Sequence, residues 1–272
     1  MMPGIFARTF SRSTLEENLD AIRSYGLHHV QYNLSCAGLP TLPDRIEPAL
    51  VERIRRETAA RGITINALSG TYNMIHPDLD IRKAGIRSLR VLASSCKGMG
   101  TSIITLCTGT RDATDIWRWH PDNTSESAWT DLCSVMEQAL QIAEDENVVL
   151  AFEPEQANVV YSAPRARRLL DTLHSPRLKV VIDPANLFSP DSVQKLPNIL
   201  DEAFALLGPD IVVAHAKDRR PDGTVTPAGT GVLHYDQYLR LLRSINFAGP
   251  IILHSLDEAQ VPAAVRFLSA KL

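Results

Sequence analysis

Four metal-competent side chains each close an apolar run in the second half of the chain. Glu153 ends V-V-L-A-F-E, Asp183 ends K-V-V-I-D, His215 ends I-V-V-A-H and His254 ends I-I-L-H. Short apolar runs rich in β-branched residues read as strands buried on both faces. Pro154 removes a ladder donor, so its strand stops there and leaves Glu153 at the C-terminal end. A buried ionised carboxylate is costly without a partner, so a cation or donor is expected beside it. Two carboxylates and two imidazoles suit one borderline-to-hard divalent ion such as Mn²⁺, Zn²⁺, Co²⁺, Fe²⁺ or Mg²⁺. Each residue has a plainer use: Asp183 as a turn or helix cap, each histidine as a hydrogen-bonded core residue. Repetition at four successive strand ends favours the metal site.

These residues need elements to hold them at one height. Strands are expected at Pro3–Phe10, His29–Leu34, Ile63–Leu68, Thr101–Cys107, from Val148, and at Leu178–Ile182, Asp210–Ala214 and Pro250–Leu253. Amphipathic helices alternate with them, the first capped at Ser13 with an acid at Glu16, the last running Ala259–Leu272. Strict alternation implies a parallel sheet, and eight units imply a single closed (β/α)8 barrel over residues 1–272. An open doubly wound sheet would want a glycine-rich phosphate turn after the first strand, and R-T-F-S-R-S has no glycine. In a barrel the site lies at the C-terminal mouth, here that of strands five to eight.

Composition narrows the partners. A net charge of -3 over 272 residues gives no reason to expect nucleic acid. Cys36, Cys96, Cys107 and Cys133 are far apart, without metal-type spacing, and read as reduced, mostly buried thiols. No basic-then-apolar leader and no apolar run of 18 residues is present, so a cytoplasmic protein with no membrane partner is expected.

The segments A-F-E-P-E, V-I-D-P-A-N, A-H-A-K-D and G-T-G-V-L-H-Y-D, with N-M-I-H-P-D after the third strand, resemble the sugar phosphate isomerase/epimerase superfamily of xylose isomerase-like TIM barrels. The resemblance runs through nearly the whole chain. It implies one divalent metal, Mn²⁺ first, and a small sugar-like substrate, with a homo-oligomer allowed. The family's ligands map onto Glu153, Asp183 and His215. Isomerases of the family usually end strand eight with a glutamate that binds metal and serves as second acid/base; this chain has His254 there. Histidine binds metal and moves protons, but a ligand nitrogen is lost to base chemistry. Glu258 is a substitute carboxylate or, more simply, a helix N-terminal acid. Asn186 stands where epimerases often place a substrate-touching histidine.

The expected chemistry is isomerisation or epimerisation of a sugar, keto-sugar or related polyol through an enediolate, which needs charge at the carbonyl and a base at the α-carbon. Glu153 is the first candidate base. Glu155 shares its parity but, just past a proline, reads more simply as solvent-exposed. Lys217 shares parity with His215 and is placed to steady an enolate or carboxylate, and Arg219 and Arg220 to hold oxygens or a phosphate. His76 and Arg111, just past strands three and four, overlook the same mouth. Trp117 and Trp119 lie in a long loop fit for a lid, whereas Trp129 reads as helical packing. His254 keeps a second reading open, a metal-dependent lyase or dehydratase, since elimination works with a single base. A barrel that binds sugar without catalysis is the third. Metal-dependent DNA repair would want more histidines and a basic face.

Overall fold

The computed structural model describes residues 1–272. Eight parallel strands close a barrel: β1 (Met2–Phe6), β2 (His29–Tyr32), β3 (Thr64–Ser69), β4 (Ile103–Cys107), β5 (Val149–Glu153), β6 (Leu178–Ile182), β7 (Ile211–Ala216) and β10 (Pro250–Leu253). Between β7 and β10 a small antiparallel hairpin adds β8 (Asp218–Arg219) and β9 (Val225–Thr226). Around the barrel run α1 (Leu15–Ser24), α2 (Pro48–Ala60), α3 (Leu79–Cys96), α4 (Glu126–Asp145), α5 (Ala163–Leu173), α6 (Leu196–Leu207), α7 (Tyr235–Ser244) and α8 (Val261–Ser269). The expected single (β/α)8 barrel is what the chain forms. No helix is long and apolar enough to cross a membrane.

Strand order β1-β10-β7-β6-β5-β4-β3-β2 makes every barrel pair parallel, as right-handed βα crossovers require. The main core is the shell between strands and helices, filled by Ile5, Leu19, Val30, Leu92, Phe152, Val180, Leu200 and their neighbours. A second, much smaller cluster of Ala67, Ala151, Val181 and Val213 lies on the other faces of β3, β5, β6 and β7. Alternation along a strand assigns these small residues to the barrel interior. Two positions further along the same faces come Ser69, Glu153, Asp183 and His215, so the polar layer sits directly above the apolar one.

Local corrections are few. The first helix is capped by Thr14 in a capping box with Glu17, rather than by Ser13 with Glu16. Both pairs have the right spacing, but Glu16 is taken by Arg53 of α2, at 2.7 and 2.8 Å. The first strand ends at Phe6 and a 3₁₀ turn carries Ala7–Thr9, while the last helix spans Val261–Ser269, shorter than expected. All four cysteines are free, Cys96 and Cys107 buried and the other two half-buried. Trp129 is buried in α4 as expected, with Arg168 stacked 4.0 Å from its ring centroid.

Candidate metal centre and catalytic mouth

The C-terminal ends of β5, β7 and β10 bring Glu153, His215 and His254 to the wall of one cavity of about 1140 Å³, and Asp183, at the end of β6, is buried just behind that wall against His254. Donor atoms of Asp183, His215 and His254 lie within 4.8 Å of one another. His254 Nε2 is 2.8 Å from Asp183 Oδ2, and His215 Nδ1 is 3.8 Å from the same oxygen. Glu153 stands at the edge of this trio: its Oε1 is 3.4 Å from His215 Nδ1 but joins no mutual cluster with the other two. Three of the four expected ligands therefore converge, with the fourth, Glu153, beside one of them.

A cross-barrel contact defines which nitrogen of His215 faces the cluster. His215 Nε2 is 2.8 Å from Gln31 Oε1, and Gln31 Nε2 donates to Thr105 Oγ1 at 3.0 Å and Ser69 Oγ at 3.3 Å. With the amide nitrogen committed to two hydroxyls, the amide oxygen must face the ring and accept from Nε2–H. Nδ1 is then left toward Glu153 and Asp183; it is buried and has no hydrogen-bond partner. An orphaned, buried imidazole nitrogen between two carboxylates is a donor set that fits a divalent cation. Gln31, Ser69 and Thr105 were not singled out from the sequence. The available signal was a glutamine inside the otherwise apolar-to-aromatic strand H-V-Q-Y, at an inward position.

Electrostatics around the cluster are strongly coupled. Burial alone would raise the Asp183 carboxyl, but Lys217, His215 and His254 hold it well below the usual carboxylate range. Lys217 Nζ lies 3.2 Å from Asp183 Oδ2. Burial likewise acts to lower His215, yet Glu153 and Asp183 outweigh it and push it up to about 9. The negative field that favours a proton on this ring also favours a metal cation. His254 is lowered, first by burial and then by the neighbouring His215, whose ring centroid is 4.5 Å away. Ser255, next in sequence, adopts φ 56° and puts Oγ 3.1 Å from His254 Nδ1.

The remaining expected site residues divide cleanly. Asn186 is buried, donates Nδ2 to Glu153 Oε1 at 2.7 Å, and leaves its own Oδ1 without a partner. Glu155 lines the cavity and is not the solvent-exposed acid expected just past Pro154; burial raises its carboxyl, against the pull of Lys217. Arg219 and Arg220 also line the cavity, with Trp117 across the mouth. His76 and Arg111 are not among its lining residues. His76 Nε2 bonds Ala113 O and its Nδ1 accepts from Asp78 N–H, both at 3.0 Å, tying two loops together. Arg111 pairs with Asp131 at 2.6 Å. Glu258 is drawn off by Arg12, at 2.6 and 2.8 Å, and does not supply the missing carboxylate.

Asp218 explains the glycine-rich run that follows. Its buried carboxylate accepts from the N–H groups of Arg219 (2.8 Å), Leu233 (3.0 Å) and Gly229 (3.2 Å), so β8–β9 and G-T-G-V-L fold around one acceptor. A Cβ at Gly231 would collide with that carboxylate and with Arg219 O. Tyr238 and Tyr235 of α7 donate to His215 O and Lys217 O, each at 2.9 Å, and fix the end of β7.

A closed parallel barrel with an Asp-His-His cluster at its C-terminal mouth defines a class of metal-competent TIM barrels. The chain belongs to the xylose isomerase-like TIM barrel family, whose model matches residues 19–271. Among curated proteins nothing matches it. Solved structures are similar at low identity. The 3-keto-D-glucoside 4-epimerase YcjR from E. coli is 15% identical, covers 99% of both chains and superposes with a TM-score of 0.72. The probable 3-DHS dehydratase AsbF from Bacillus anthracis is 15% identical over 99% of both chains, at 0.75. The IOLI protein with a bound zinc atom is 15% identical over 99% of this chain and 97% of its own, at 0.71. At such identities the likeness is one of fold.

Proposed function

We propose that the protein is a divalent-metal-dependent isomerase or epimerase of a sugar, keto-sugar or related polyol. The observation that carries this is the buried, unpartnered Nδ1 of His215, set between Glu153 and Asp183 and within reach of His254. Asp183, His215 and His254 would hold the ion, with Glu153 beside them. Manganese is the first expectation, and a zinc-binding neighbour of the same fold keeps Zn²⁺ in view. When bound, the ion supplies positive charge that polarises a substrate carbonyl.

The protein's own groups do the rest. Glu153 is the base for the proton next to the carbonyl, its Oε1 held by Asn186 so that the carboxylate keeps one orientation. Asn186 Oδ1, unpartnered at the cavity wall, accepts a substrate hydroxyl. Glu155, whose carboxyl burial raises, is the acid that returns a proton, and Lys217, kept charged by the neighbouring carboxylates, steadies the developing enolate oxygen. Trp117 offers an apolar face for the sugar ring.

Elimination of water by the same base is the second reading. It is favoured by His254, which spends Nε2 on Asp183 and leaves no strand-eight carboxylate as partner for Glu153. Two measurements decide. Metal content of the purified protein and a thermal shift on adding Mn²⁺ are expected to be positive; absence of both would sink both enzymatic readings. Incubation of a keto-sugar panel in deuterated water is expected to place deuterium at the α-carbon without net loss of water. Release of water points to the dehydratase instead.

A further inference from the structure

Most arginines elsewhere on the molecule are matched by carboxylates, as Arg53 is by Glu16, Arg61 by Asp20 and Glu57, and Arg111 by Asp131. Arg8, Arg219 and Arg220 line the cavity and make no ion pair within 4.0 Å. Arg219 is fixed by two backbone carbonyls, whereas Arg8 is exposed and lies against Phe6. Arg219 donates Nε to Ala185 O at 3.0 Å and Nη1 to Gly223 O at 2.8 Å. Ala185 in turn donates its N–H to Asp183 Oδ1 at 3.0 Å, so this guanidinium is anchored two residues beyond a candidate ligand. Arg8 sits 5.7 Å from the Phe6 ring centroid, and the Phe6 ring is 6.3 Å from that of His254. Arg220 closes the turn of the β8–β9 hairpin, where its carbonyl accepts from Gly223 N–H at 2.9 Å.

The sign of the rim differs from that of the floor. At the floor, Glu153 on the cavity wall and Asp183 buried behind it stand against Lys217, with the Glu155 carboxyl beside them, an acidic surplus that suits a divalent ion. Apart from Glu153 and Glu155, the cavity lining holds one carboxylate, Asp257, against these three arginines. Their positive surplus is left for a ligand. Partly held guanidinium groups with free N–H forks match the planar geometry of a carboxylate and the oxygens of a phosphate.

We propose that the substrate carries an anionic group, a carboxylate or a phosphate, at the end remote from the reacting carbons, received by Arg8, Arg219 and Arg220. This rests on reading the cavity as a sugar-processing site and narrows its substrates to sugar acids or sugar phosphates. The probes are D-gluconate, sorbitol 6-phosphate and sorbitol, titrated calorimetrically into Mn²⁺-supplemented protein. One or both anions should bind at least about tenfold tighter than sorbitol, and rising salt should shrink that gain. Which anion gains identifies the group. Arg219→Gln should abolish the gain and Arg8→Gln, an exposed position where folding is not at stake, should reduce it. No gain for either anion, or a gain that survives both substitutions, overturns the subsite. Gluconate can reach the metal through its own carboxylate, and persistence of its gain in Arg219→Gln is the sign of that route. Metal content, measured separately, decides whether the proposed function itself fails, so the two failures are distinguishable.

Discussion

The two halves of the barrel mouth are built from different chemistry. On β5, β6, β7 and β10 the strand ends carry Glu153, Asp183, His215 and His254, all able to change charge or bind metal. On β2, β3 and β4 the facing positions carry Gln31, Ser69 and Thr105, all neutral. Across the interior of the barrel, the neutral half meets the charged half where Gln31 bonds His215. The charged side supplies ligands and base. The neutral side chooses which face of the imidazole they see. A charged residue opposite His215 would also have fixed the ring, but it would have added to an already crowded field; an amide fixes it at no net charge.

The largest test of this division removes a ligand. Asp183 is fully buried and meets His254, Lys217 and the His215 ring. Asp183→Asn keeps the volume and the acceptor for Ala185 N–H but loses the negative charge shared by three cationic or cation-capable groups. Mn²⁺ affinity, read by calorimetry, should fall by more than the roughly 10- to 100-fold typical of an outer hydrogen-bond partner. A smaller fall would mean that the ion, if bound, lies elsewhere. Glu153, outside the mutual cluster, makes the natural contrast. Glu153→Gln should retain most of the metal affinity while α-proton exchange drops by about 10²- to 10⁴-fold, the usual share of a general base. Equal losses in both properties would instead make Glu153 a full ligand.

The same asymmetry governs what could be read from the chain alone. The charged half was legible because an Asp, Glu or His that ends an apolar strand is rare enough to stand out, and four in register are rarer. Strands six and eight were expected with the bounds they adopt, Leu178–Ile182 and Pro250–Leu253. Ser, Thr and Gln in strands carry no such signal, since they are ordinary on any half-polar face; only the three-dimensional closure of the barrel reveals that Gln31 meets His215. The β8–β9 hairpin escaped for a related reason. Its two-residue strands have no periodicity to detect, and they exist because one buried carboxylate, Asp218, collects the N–H groups of the surrounding loop. His76 and Arg111 show the opposite error. Both types are chemically able and both follow strand ends, yet neighbouring loop carbonyls and Asp131 absorb them before they reach the cavity.

The neutral half can be broken without touching a ligand. Gln31→Leu leaves the His215 Nε2–H buried without an acceptor, a cost of about 1–3 kcal/mol, and frees the ring to turn or change tautomer. Mn²⁺ affinity should fall by about 10- to 100-fold, and Gln31→Glu, which keeps an acceptor at the same reach, should restore most of it. If Leu and Glu behave alike, the contact is packing and the division between halves is wrong. Thr105→Val is the subtler probe, because Thr105 Oγ1 is the nearer of the two acceptors that orient the Gln31 amide, at 3.0 Å against 3.3 Å for Ser69. With Ser69 still in place the amide keeps its orientation on average, so the loss should be only that of one neutral hydrogen bond, about 1 kcal/mol or fivefold in metal affinity. Removing both hydroxyls frees the amide to flip and present its nitrogen to His215 Nε2, where two donors would face each other. The double variant should then lose more than the sum of the single losses, because the orientation of Gln31 is set jointly by its two partners.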